Sequence, residues 1–388
     1  MEKKHVVLAV VCLTMISFVF SSLDYPPISK LVSSQLLLSN SQSGLITSIY
    51  FIPYASMQIP GGYFADRFGP GKTILVGSFV MALAPLLFIA GDSFSAALIS
   101  RVVAGASGGV VFPSCVRLIS AWFSKNELSR AMGFFGSANG AGQVLASFFL
   151  PLLILGINWR PPLVFTFLFS LATFALTFLP AKWTKKRTEN EMVRLSVRGI
   201  FTRNMFALML PNFASLAVIY GVFAWTPIFL TEVFHISNSY AGAIVSVVGL
   251  ATIAGSYLGG ISDRIIGSRK TIAASMLLLV PFTLLLPEAN SLILSTICLL
   301  GIGFGANLYF ASDFSLIPYA SKQGIATAGA TFGVFNTLSN LGSVISPFLF
   351  GLILDLTGNF VLGYTALAIF AVLGIAGSVF ISLKSLHY

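Results

Sequence analysis

The sequence predicts an all-α integral membrane protein of twelve transmembrane helices in two pseudo-symmetric six-helix bundles. Its 388 residues are 56% hydrophobic and only 9% charged, too few polar side chains to cover a soluble protein of this size. Apolar runs of about 18 residues or more recur from end to end, each able to cross a hydrocarbon core of about 30 Å as a helix. A charged motif recurs half a chain apart, as GGYFADRFGPGK at 61–72 and GGISDRIIGSRK at 259–270, the mark of an internal repeat. The runs lack the short alternating periods of a transmembrane barrel.

The first span, 6–24, has the length of a secretory leader. No small-residue cleavage site follows and similar runs come later, so it reads as a membrane helix ended by Tyr25-Pro26-Pro27. Spans 43–64 and 73–91 flank the first charged motif, whose glycines permit a tight turn. Span 95–120 carries Arg101 a turn or two inside its outer end. Span 131–155 carries Asn139 and Gln143 at its middle, and span 161–180 completes a first bundle over 1–180. Residues 181–203, AKWTKKRTENEMVRLSVRGIFTR, form the longest polar stretch and read as a basic linker, in part an amphipathic helix on the inner leaflet. The second bundle, 204–388, repeats the order with spans at 204–230, 239–261, 271–287, 291–316, 325–354 and 361–383.

All Lys and Arg except Lys30, Arg160, Arg101 and Arg117 fall on one side of this topology, the side of the N-terminus. Such an excess marks the cytoplasmic face, so both termini are expected there. The net charge of +10 is thereby assigned to membrane topology and not to nucleic acid. Cys12, Cys115 and Cys298 lie in apolar segments with no metal or disulfide spacing, and His5, His235 and His387 lie near ends or loops. No HExxH, GxSxG or complete P-loop occurs, and GPGKT at 69–73 lacks the leading glycine. No enzyme, metal site or cofactor is expected.

The repeat relates Asp66 to Asp263 at an offset of 197 residues, with Gly62 to Gly259, Arg67 to Arg264 and Lys72 to Arg269; the match slips by one at Gly69 and Gly267. The same offset carries Asn139 and Gln143 onto Asn336 and Asn340. Spaced i, i+4, each pair shares one helix face. Amides at mid-membrane need partners or a wet cavity, so the pairs either line a central solute pocket or join packed helices. Tyr220 and Trp225 on span seven, with Asn307 and Tyr309 on span ten, are weaker candidates for that pocket. Arg117 and Asp313, offset by 196, sit near the inner ends of spans four and ten. They read either as members of an inner salt-bridge network paired across the bundles or as plain interfacial charges. Asp24 and Arg101 lie at similar depth near the outer face, where an arginine can hold an acid ionised. The pair is a candidate proton-coupling site; the alternative leaves Asp24 exposed in the first outer loop.

The G-x-x-x-D-R-x-G pattern of Gly62, Asp66, Arg67 and Gly69, its second copy at Gly259, Asp263 and Arg264, and RVVAGASGG from Arg101 together resemble the major facilitator superfamily over essentially the full chain. SAWFSKNELSRA at 120–131, NWRPPLVF at 158–165 and GLILDLTG at 351–358 are similar to its organic-anion and nitrate-type branches, although no Arg occupies the second or eighth span. The resemblance implies a cytoplasmic gate at the repeated motif, to which Arg117 and Asp313 would belong, and a fourth-span arginine concerned with proton coupling and packing. In such a gate Asp66 would accept from the start of the eleventh span near Ser321 to Gly324, and Asp263 from the start of the fifth near Ser129. Arg67 and Arg264 would hold the loops through carboxylates or carbonyls. The implied protein is a monomeric secondary transporter of the bacterial inner membrane. It would move a small polar solute (an organic acid, an amino acid or a similar metabolite) by alternating access with protons as coupling ion. Uptake is the first expectation, and proton-coupled efflux of a drug or metabolite the alternative.

Overall fold

The computed structural model describes residues 3–183, 202–310, 312–313, 316–317 and 328–381. The linker expected at 181–203 lies mostly outside them. The described chain is helical. Helix α1 spans Lys3–Leu23 and is followed by a 3-10 turn at Pro26–Ile28 and a short α2, Ser29–Leu36. Then come α3 (Asn40–Ile49), α4 (Phe51–Phe68), α5 (Pro70–Gly91), α6 (Phe94–Trp122), α7 (Lys125–Leu152) and α8 (Arg160–Trp183). The second half holds α9 (Arg203–Val233), α10 (Asn238–Ile266), α11 (Ser268–Leu285), α12 (Leu292–Leu308), α13 (Ala328–Ser339), α14 (Leu341–Thr357) and α15 (Phe360–Phe380).

Among the described residues, nine helical stretches are long and apolar enough to cross a membrane, and Leu292–Leu308 is apolar but shorter. The other two of the twelve spans are α3–α4 and α7, whose hydropathy is lowered by Gln58, Asp66 and Arg67 in one and Glu127, Asn139 and Gln143 in the other. Starts and stops follow local chemistry. Ser93 accepts from the Ala96 N–H and Ser291 from the Leu294 N–H, so serine side chains satisfy orphan donors at the heads of α6 and α12. Gly69 (φ +92°) and Gly267 (φ +83°) make the breaks between α4 and α5 and between α10 and α11, a backbone conformation that side chains with a Cβ disfavour.

The chain divides into two compact units. One comprises Met1–Ser39, Ile49–Glu189 and Asn238–Ser246; the other comprises Asn40–Ser48, Asn190–Ser237 and Val247–Tyr388. In the first, α5 packs on α6 and α8, α4 on α6, and α1 on α7 and α8. In the second, α15 packs on α9 and α11, α14 on α9, and α12 on α11.

Close helix approaches within each unit correct the register of the repeat. A Cβ on Gly61 would stand 2.6 Å from Val110 Cα, and one on Gly259 2.0 Å from the Leu308 carbonyl oxygen. Likewise Gly105 rests on the Tyr50 carbonyl and Gly303 on that of Val248. These pairs, with the turn glycines 69 and 267 and the capping serines 93 and 291, all differ by 198. The glycine equivalent to Gly259 is therefore Gly61; a Cβ on Gly62 would meet nothing within 4 Å. The acids differ by 197 and are one residue out of step with the helices that carry them. Asp263 takes the place of buried Ala65, while Asp66 takes the place of Arg264.

Candidate functional site

Asp24 and Arg101 meet. Helix α1 ends at Leu23, which leaves its last carbonyls without intrahelical partners. Arg101, eight residues into α6 and so about 10 Å along it, donates to the Ser21 carbonyl (2.8 Å), to that of Ser22 (2.8 Å) and to Asp24 Oδ1. Its guanidinium also lies over the Tyr50 ring, 4.9 Å from the centroid, a favourable placement for a desolvated cation. The side chains are 2% and 4% exposed, so Asp24 is not the open loop residue of the alternative reading. Tyr50 and the α1 carbonyls escaped the sequence reading, because helix C-termini leave no side-chain signature.

The two amide pairs are each internally bonded. Gln143 Nε2 donates to Asn139 Oδ1 at 3.0 Å. Asn340 Nδ2 donates to the Asn336 carbonyl at 2.7 Å and to its Oδ1 at 3.3 Å. In both pairs the later residue is buried and the earlier one half-buried. Gln143 Oε1 is buried without a partner among the described residues, an acceptor available to a donor. Asn340 also marks the break between α13 and α14.

The aromatic candidates divide. Trp225 is buried, donates its indole N–H to the Pro347 carbonyl at 2.9 Å and stacks on Phe350. Its one polar atom is used and its faces are packed, so it leaves the solute-binding list. Tyr309 is buried too and donates to Asn212 Oδ1 at 2.7 Å, which ties α9 to the end of α12. Tyr220 and Asn307 remain half-buried. Asn212 has no amide counterpart at the repeat offset, so spacing alone does not single it out.

The two charged motifs differ from each other. Asp66 pairs with Arg117, whose Nε and Nη2 lie 2.8 and 2.7 Å from Oδ1. Arg117 therefore bonds within its own unit, on the neighbouring helix, and not to Asp313. Arg67 reaches the Tyr63 hydroxyl at 2.9 Å and lies over the Phe68 ring, in place of a carboxylate or carbonyl. Asp263 accepts from Ser312 at 2.7 Å, and Arg264 is exposed. Asp313 is 2% exposed, and neither of its carboxylate oxygens has a hydrogen-bond partner among the described residues. Residues 321–324 and the side chain of Ser129, the expected partners of Asp66 and Asp263, lie outside the described residues.

At the opposite end of the helices Asp355 does what Asp66 was expected to do. Its Oδ1 accepts from the Asn40 N–H at 2.8 Å and its Oδ2 from the Ser41 N–H at 2.7 Å, which satisfies two orphan donors at the head of α3. Phe348 N–H donates to Ser48 Oγ in the same unit. Among the described residues no group of three or more His, Cys, Asp or Glu could hold a metal.

The Major Facilitator Superfamily model matches residues 7–347. A relative from Cupriavidus necator named as a probable sulfoacetate transporter is 25% identical, the alignment covering 98% of this chain and 94% of the relative. One from Staphylococcus epidermidis named as a probable nitrate transporter is 26% identical over 92% of this chain and 91% of its own. A solved structure of a bacterial homologue of the human lysosomal transporter Spinster, inward-facing and unoccupied, aligns with a TM-score of 0.74 at 17% identity, over 99% of this chain and 95% of its own. The relatives and the family are transporters and not enzymes. With twelve spans, a repeated Asp-Arg turn and a family match over most of its length, the chain belongs to the major facilitator superfamily.

Proposed function

We propose that this transporter of small solutes carries a small organic or inorganic anion together with a proton, in the direction of uptake, by alternating access. The buried Asp24–Arg101 pair carries the reading. An intramembrane ion pair is costly to build and is kept where it works. Protonation of Asp24 removes the carboxylate that Arg101 holds, and the freed guanidinium, with its planar fork of donors, suits a carboxylate, sulfonate or nitrate group. Proton and anion then enter as a neutral sum, and loss of the proton restores the pair and expels the anion. The names of the relatives, sulfoacetate and nitrate transporters, support an anion of this kind. Asn139 and Gln143 in the N-terminal unit, and Asn336 and Asn340 in the C-terminal unit, each offer amide donors and acceptors to a solute's hydroxyl or carbonyl groups.

The Asp66–Arg117 turn, with Gly69, acts as the gate at the cytoplasmic face. The chain works as a monomer in a bacterial inner membrane, with both termini in the cytoplasm and residues 181–203 linking two six-helix bundles. The test is a screen in proteoliposomes with an imposed inward proton gradient, using radiolabelled sugar acids, sulfonates and nitrate, and unlabelled neutral sugars and cations as competitors. Accumulation of one anion that collapses with the gradient supports the reading. Accumulation driven by an outward gradient makes the protein an exporter, and transport of only cations or neutral solutes overturns the anion assignment.

A further inference from the structure

The turn that joins α7 to α8 is short and apolar. Gly156 reverses it with a φ of +61°, Leu155 and Asn158 bridge across it, and Leu155 and Ile157 are 68% and 76% exposed. Such a turn suits the surface of a bilayer, where acyl chains cover apolar side chains. Beside it a groove of about 370 Å³ runs along α8. Leu153 at the end of α7 and Val164, Phe165 and Leu168 of α8 wall it, and Asn158 and Arg160 stand at its head. At 1.5 Å per residue, Leu168 lies about 12 Å along the helix from Arg160. Phe165 stacks on Phe169, which fixes the wall.

The head of the groove carries two opposite charges. Arg160 pairs with Asp92, the residue in left-handed conformation that ends α5, and its guanidinium lies over the Trp159 ring, 4.7 Å from the centroid. Its backbone N–H donates to Asn158 Oδ1 at 3.0 Å. These contacts orient the guanidinium without exhausting it. The chain is described without a break from residue 3 to residue 183. Among the described residues the pair is joined through Arg160 Nη2 and Asp92 Oδ2, which leaves N–H groups of the guanidinium fork and Asp92 Oδ1 open. The two side chains are 38% and 48% exposed. A simple anion would gain Arg160 and meet Asp92 beside it, so the pair as a whole does not attract one. A headgroup with a phosphate and an ammonium a few bonds apart meets both charges: the phosphate accepts from Arg160 and the ammonium donates to Asp92.

We propose that this groove holds one phospholipid with a zwitterionic headgroup that ends in a primary ammonium, as in phosphatidylethanolamine. Its phosphate rests on Arg160, its ammonium on Asp92, and one acyl chain lies along Val164, Phe165 and Leu168. Acyl chains cover any apolar helix face in a membrane; the charge pair at the head of this one selects the lipid. The primary ammonium matters because its N–H groups can donate to Asp92, whereas a quaternary ammonium carries the same charge and no donor. The assignment does not depend on coupling through Asp24 or on the identity of the solute.

Native mass spectrometry of the full chain released from nanodiscs tests it. The nanodiscs contain phosphatidylethanolamine, phosphatidylcholine and phosphatidylglycerol with the same acyl chains, in equal parts. The wild type is expected to retain phosphatidylethanolamine about fivefold over either competitor, the factor that one exposed ion pair supplies. Arg160→Ala is expected to lose this retention. Asp92→Asn is expected to transfer the preference to phosphatidylglycerol, whose anionic headgroup then meets an unopposed guanidinium. Leu168→Trp, at an exposed position that leaves both charges in place, is expected to fill the groove and reduce retention of all three lipids. Equal retention of the three by the wild type, or an Asp92→Asn protein that still prefers phosphatidylethanolamine, overturns the proposal. So does retention unchanged in Arg160→Ala or in Leu168→Trp, because the lipid then lies elsewhere.

Discussion

Arg101 binds Asp24 and, with the same guanidinium, two carbonyls at the end of the helix that precedes it. The arginine is thus both an ion-pair partner and a helix cap. Removing it strands an acid that is 3% exposed, and breaking a buried pair from one side costs about 3–5 kcal/mol. Arg101→Ala is therefore expected to lower the melting temperature in detergent sharply. Arg101→Lys keeps the charge but not the fork of donors, and should fall between the two. Equal melting temperatures for Arg101→Ala and wild type would show that the pair does not hold the fold.

Glycine at the α10–α12 crossing is a packing requirement. A methyl group at position 259 would press on a backbone oxygen 2.0 Å away, and backbone cannot rotate aside. Gly259→Ala is expected to cost about 1–3 kcal/mol by overpacking, and Gly61→Ala a similar amount. Gly62→Ala, with open space around it, should stay within about 0.5 kcal/mol. Thermal unfolding of the three variants gives the order; a larger effect at Gly62 than at Gly61 would restore the register read from sequence.

The Asp66–Arg117 pair is about half exposed on both sides. Such pairs contribute about 0–1 kcal/mol to stability, so Arg117→Ala should melt near the wild-type temperature while transport slows. The charge reversal Asp66→Arg with Arg117→Asp should recover transport that either single change loses. Failure of the double variant to recover any activity would leave the pair without a role in gating.

Asp355 and the head of α3 make a prediction in hydrogen exchange. Loss of a side-chain cap costs about 0.5–2 kcal/mol, and here two N–H groups lose their acceptor at once. In Asp355→Ala the amides of Asn40 and Ser41 should exchange faster by about tenfold or more, and in Asp355→Asn by less. Unchanged protection of this segment would contradict the cap.

What could be read in advance follows from what a sequence encodes. Length and hydropathy give the helices, and two ionisable residues at equal depth in apolar runs have few partners, so Asp24 and Arg101 were legible. A Gly-Gly doublet does not say which glycine faces the neighbouring helix, and this hid Gly61 behind Gly62. An aromatic in a membrane helix carries no mark of direction, and Trp225 turned into its own unit. Residue spacing relates Arg117 to Asp313, while the bond of Arg117 to Asp66 depends on which helices are neighbours. Asp355 lies in GLILDLTG, and its partner Asn40 stands 315 residues earlier in the chain, a separation that no local pattern reveals.

The most direct test compares wild type with Asp24→Asn in proteoliposomes, measuring gradient-driven accumulation and solute exchange for the anion found by the screen. Loss of accumulation with exchange retained is the predicted result. An Asp24→Asn protein that still concentrates its anion on an inward proton gradient would contradict coupling through this pair.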